Sequence, residues 1–220
     1  MQERSMHAVR SVLVVLGVFL LVFLAGVVIA WAVRRLLTLS VWASGLLTQL
    51  VFLCLSLALM SFIRGSLREF GFKLVPRGLI MASLASIVAA SAIMGITILL
   101  LGDAGGGQPE IAEDPLALAI LSLLVAPICE EIFFRGLLQG YLILKGHKLL
   151  SIAVPAVLFS LVHVLPFSSA NVAMLVAVLI GAVVLGSIAG YFRAINGSLL
   201  HPILVHFWFN LIGCIIAAFS

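Results

Sequence analysis

The sequence predicts an all-α, polytopic transmembrane helical bundle of about seven spans, and three observations lead to it. Apolar residues make up 64% of the 220 and charged residues only 9%, against roughly 45–50% and about 25% in soluble proteins. The apolar residues fall into runs long enough to cross the hydrocarbon, which takes about 20 residues as a helix. The few charges cluster between those runs. A water-soluble domain of this size could not hide so much apolar surface, so the solvent is lipid. Disorder, a secreted disulfide scaffold and an ordinary soluble globule are excluded.

The runs follow one another along the chain. Val12 to Val33 is the first, closed by Arg34 and Arg35, and it is too long for the core of a signal peptide, about 7–15 residues. Leu39 to Ile63 and Leu79 to Leu101 are the second and third. Leu116 to Leu144 is longer and carries charge in its middle. Leu149 to Leu165, Val172 to Phe192 and Leu199 to Phe219 complete the set. Pro127, Pro155 and Pro202 are positions where a helix kinks or starts. Gly136 with Gly140, and Ala182 with Gly186 and Gly190, are small-residue stripes of the kind that lets helices approach closely.

Orientation follows from Lys and Arg, which concentrate on the cytoplasmic side. With the N-terminus cytoplasmic, Arg4, Arg10, Arg64, Arg68, Lys73, Arg77, Lys145, Lys148 and Arg193 all lie inside, and Arg34 and Arg35 outside. The segment from Gly102 to Pro115 is Gly-rich and acidic, as an outer loop can be. The segment Arg64 to Arg77 mixes basic residues with Leu67, Phe70, Phe72 and Leu74; it reads equally as a piece lying on the inner membrane surface or as a plain basic loop. The net charge of +4 is thus topogenic, and no nucleic-acid partner is expected. Cys54, Cys129 and Cys214 stand singly in apolar stretches and match neither a disulfide framework nor a zinc ribbon. His7, His147 and His201 fall near span ends and read as interfacial.

Ionisable groups inside a bilayer are expensive and therefore candidates for function. Glu130, Glu131 and Arg135 lie in the fourth span, His163 near the outer part of the fifth, and His206 with Asn210 in the seventh. Glu130 is roughly 20 Å from either end of its span at about 1.5 Å rise per residue, which puts it near the midplane. Glu131 and Arg135 are four apart and can pair on one helix face, which turns the neighbouring Glu130 about 100° away. His206 and Asn210 repeat that spacing, as do Phe159 and His163. Three helices thus offer polar groups that lipid rejects, and facing one another is the economical solution.

Glu130-Glu131-x-x-x-Arg135, Phe159-x-x-x-His163 and His206-x-x-x-Asn210, in that order, resemble the three motifs of the CPBP family, the CAAX proteases and bacteriocin-processing enzymes that include the type II CAAX prenyl endopeptidases. The resemblance covers roughly Leu116 to Asn210. Two features depart from it: the bulky Phe207 follows His206 where relatives often carry small residues, and seven spans are read where the eukaryotic prenyl protease has eight. On this reading residues 1–115 form three N-terminal spans with a basic inner and an acidic outer loop, and residues 116–220 form the CPBP-like catalytic core.

Hydrolysis of a peptide needs an activated water and donors for the oxyanion. A carboxylate held away from bulk water is a competent base, and Glu130 is the natural one, with His163 helping to hold or deprotonate the water. His206 and Asn210 are the donors for the developing oxyanion. Glu131 with Arg135 is an internal ion pair that orients the fourth helix, with Phe159 in support. The resemblance implies the same assignment. The expected substrate is a membrane-anchored or lipid-modified protein or peptide, and the lipid bilayer itself is the other partner. No cofactor is favoured, but a zinc ion held by Glu130, His163 and His206 is the competing scheme; H-E-x-x-H is absent. Cys129 as a thiol nucleophile is set aside, because buried apolar thiols are inert. Three other roles stay open: a proton-coupled transporter using the same acids and histidines, a haem clamped by His163 and His206, and a catalytically silent partner or immunity protein.

Overall fold

A computed structural model describes residues 2–64, 66–102 and 115–219. Among them lie seven helices and no strand: α1 (Gln2–Leu37), α2 (Val41–Arg64), α3 (Leu79–Leu101), α4 (115–144), α5 (Lys148–Leu161), α6 (Val172–Asn196) and α7 (Leu200–Phe219). A single 3-10 turn, Leu67–Phe70, sits between α2 and α3. The acidic segment expected between the third and fourth spans lies outside the described residues. Four helices hold stretches long and apolar enough to cross a membrane: Ser5–Leu37, Trp42–Ile63, Leu79–Leu101 and Val172–Asn196. Their exposed faces carry Leu20, Leu24, Val88 and Ile180, the mark of helices whose outer surface meets lipid rather than water.

Helix α4 is the axis of the bundle and is not a regular α-helix. Leu121–Val125 and Ile132–Leu138 are π-helical, on either side of the α-helical Ala126–Glu131. Pro127 lies two residues past the end of the first of these, and a proline that cannot donate to the preceding turn widens it. Helix α2 runs alongside in the same direction. Trp42 Nε1 donates to the Ala117 carbonyl at 3.1 Å, and the Phe52 and Phe133 rings meet at 5.2 Å. Farther along, Phe70 seats against Gly140, where a Cβ would lie 2.8 Å from its ring. Across the other face, Gly186 lets α6 close on α5, since a Cβ there would sit 2.9 Å from the Ala156 Cα.

Three expectations need correction. The fifth helix ends at Leu161 and not at Leu165. The apolar run continues through Val162, Val164 and Leu165, but residues 162–169 are turns, so His163 lies beyond the helix. Arg193, counted among the inner positive charges, is 3% exposed and packs on Gly71, where a Cβ would lie 2.7 Å from its Nε. His201 is not interfacial. It is buried, and its Nε2 donates to the Arg77 carbonyl at 2.8 Å. Finally, the basic loop is not a plain free loop. Phe70 is buried, Leu199 N donates to Gly71 O at 2.9 Å, and Ser198 Oγ donates to Lys73 O at 2.6 Å, so the loop is stitched to the start of α7.

Candidate active site

The site is built around Glu131, which is fully buried together with Arg135. The four-residue spacing puts both on one face of α4, and Arg135 Nη1 donates to Glu131 Oε1 at 2.7 Å. The same oxygen accepts from His206 Nδ1 of α7 at 2.9 Å. Glu131 therefore does more than pair within its own helix: it joins α4 to α7 and fixes the His206 ring. Its other oxygen, and Nε and Nη2 of Arg135, have no hydrogen-bond partner among the described residues. What else surrounds the guanidinium is aromatic. Its carbon lies 4.7 Å from the Phe159 ring centroid and 5.8 Å from that of Phe134, within cation–π range. Gly186 clears the remaining side, where a Cβ would come within 3.0 Å of Nη2.

Phe159 ties the fifth helix into this cluster. Its ring is fully buried, stacks tilted on His163 at 4.9 Å, and meets His206 edge-on at 5.4 Å. Its carbonyl accepts from His163 Nδ1 at 2.8 Å. A carbonyl only accepts, so Nδ1 holds the proton and Nε2 of the neutral ring is left with a lone pair. His163 is half-buried and lies within electrostatic reach of Glu130, His206 and Arg135.

Asn210, one turn beyond His206, also faces α4. Its Nδ2 donates to the Ser122 carbonyl at 2.8 Å, inside the first π segment. One amide hydrogen remains for another acceptor. Glu130 points elsewhere than Glu131, as its position one residue earlier requires. It is half-buried, and its Oε1 accepts from Gln49 Nε2 of α2 at 2.6 Å. Gln49 was not among the residues singled out by the sequence. The available signal was an amide in the middle of an apolar run, a group that is costly to bury without a partner.

Among the described residues no three His, Cys, Asp or Glu side chains converge closely enough to share an ion. In the expected trio Nδ1 of each histidine and one oxygen of Glu130 are taken, which leaves Nε2 of each ring and the other Glu130 oxygen, and these do not converge closely enough to share an ion. A metalloendopeptidase-like centre is therefore not supported by this arrangement.

Comparison with known proteins gives one finding. A family model described as "Rce1-like: Type II CAAX prenyl endopeptidase Rce1-like" matches residues 112–212, a stretch containing all three motifs, and this bears out the resemblance to the CAAX protease family. No curated protein and no solved structure matches the chain.

Proposed function

We propose that the chain is an intramembrane endopeptidase that hydrolyses a peptide bond near the end of a membrane-anchored, lipid-modified substrate, with Glu130 activating the attacking water. The observation that carries this reading is the division of labour between the adjacent glutamates. Glu131 is buried and doubly bonded, and builds the site. Glu130 is half-buried and leaves one carboxylate oxygen without a partner among the described residues. One acid is thus structural and the other is available for chemistry.

The steps follow from the remaining groups. Water attacks the scissile carbonyl as Glu130 takes its proton, and His163, through the lone pair on Nε2, holds the same water. Negative charge then develops on the carbonyl oxygen. His206, held through Nδ1 by the Glu131 carboxylate, is one donor to it, and the free N–H of Asn210 is the second. Such preorganised donors are worth roughly 10²–10³ in rate. Glu130 then returns its proton to the leaving amine. Arg135 stays out of these steps and holds Glu131 in place. The N-terminus and the basic end of the bundle lie on the cytoplasmic side in this reading.

A quenched fluorogenic peptide ending in a farnesylated CAAX sequence, offered to the purified protein in detergent, tests it. The wild type should cleave the peptide and Glu130→Ala should not. In cells, the membrane proteome of the Glu130→Ala strain should hold at least one uncleaved precursor. Equal termini in both strains and no cleavage of the peptide would remove the proposal.

A further inference from the structure

We infer that Gln49 is a positioning residue for Glu130, a role that rests on the reading of Glu130 as the base. Gln49 lies on α2, outside the 112–212 stretch that matches the peptidase family, and its amide reaches across to Glu130 Oε1 at 2.6 Å. A carboxylate gripped by one oxygen is fixed in rotation. The other oxygen of Glu130 then has a defined direction in which to meet a water.

The energetics separate this role from ordinary packing. Gln49 Oε1 is sealed from solvent and has no partner among the described residues. A hydrogen bond to a charged group gains about as much as a buried orphan carbonyl loses, so the side chain contributes little net stability. A leucine or methionine would fill the same space without the orphan. That an amide stands here is explained by what it does to Glu130. Sequence spacing could not show the link, since 81 residues separate the two.

The test uses the full chain in detergent and the farnesylated fluorogenic peptide. Gln49→Leu should lower kcat by about 10²-fold, the scale on which misplacement of a catalytic group costs rate. KM should stay within about twofold, and the thermal unfolding midpoint should be unchanged or higher. In a Glu130→Ala background the same change should remove no further activity, because the two act as one unit. Gln49→Met, unbranched and of similar length, should behave alike and decides the matter if Gln49→Leu does not accumulate. Wild-type kcat in the variant that accumulates overturns the inference, and so does a loss of activity that tracks a lowered midpoint. An inactive Glu130→Ala beside a fully active Gln49→Leu sinks the role of Gln49 alone; an active Glu130→Ala sinks the peptidase reading itself.

Discussion

Replacing Arg135 with methionine is the sharpest test of how the site is held together. The guanidinium is fully buried, pairs with Glu131 at 2.7 Å and lies 4.7 Å from the Phe159 ring. Removing one partner of a buried ion pair typically costs about 3–5 kcal/mol, because the remaining charge is left uncompensated. Two features of this site move the value in opposite directions. Loss of the cation–π contact adds as much as about 2 kcal/mol in a desolvated setting. The His206 bond to the same oxygen, at 2.9 Å, leaves Glu131 partly compensated and subtracts a similar amount. The expected destabilisation therefore stays at about 3–5 kcal/mol, the usual range. Adding Glu131→Gln removes the stranded charge, so the double variant should be more stable than Arg135→Met alone by at least about 1 kcal/mol, a coupling that independent sites would not show. Detergent-titration unfolding of the purified protein, followed by fluorescence of its three tryptophans, measures both. A loss below about 1 kcal/mol for Arg135→Met, the ceiling of an exposed pair, or a double variant as unstable as the sum of the singles, would refute the account of the pair.

Other outcomes can be checked with the same protein. Asn210→Ala should lower kcat by roughly 10²–10³-fold as an oxyanion donor is lost, with little change in KM; a changed KM at constant kcat would place Asn210 in substrate binding. Gly186→Ala drives a methyl to within 3.0 Å of Arg135 Nη2 and 2.9 Å of the Ala156 backbone. Overpacking of this kind costs about 1–3 kcal/mol, and activity should fall with it; a stability equal to wild type would show that α5 and α6 can separate freely. Incubation with a strong chelator should leave peptide cleavage by the purified protein intact, and loss of activity restored by added zinc would reverse the metal-free assignment.

Most of the bundle was legible because lipid imposes a simple rule on sequence: apolar runs of spanning length become helices. The seven runs correspond to the seven helices, and Leu79–Leu101 agrees at both ends. What the rule cannot see is the course of the backbone inside an apolar stretch. Val162, Val164 and Leu165 look like more of α5, and the chain turns there all the same. Residues 121–138 look like one helix, yet two π segments change the phase within them. The site was readable where its contacts are local. The Glu131–Arg135 pair and the Phe159–His163 contact both follow from a four-residue spacing. The Glu131–His206 and Gln49–Glu130 bonds join distant segments and leave no periodic trace. Burial misled at the basic end, where His201 reads as an interfacial residue flanking a span but is buried and bonded to the loop beside it.

The shortness of α5 bears on how a substrate arrives. Fourteen residues rise about 21 Å, well under the roughly 30 Å depth of a bilayer's hydrocarbon. The backbone that follows is irregular, and at such depth irregular backbone is tolerated only beside protein or water, never bare lipid. Where lipid borders this flank, its acyl chains compress or the headgroup layer dips towards His163. Such hydrophobic mismatch costs a fraction of a kcal/mol per Å, and it brings the aqueous boundary closer to that side chain. On the proposed function, a lipid-tethered tail drifting along the leaflet would then travel a shorter distance to Glu130 than the thickness of an undisturbed bilayer implies.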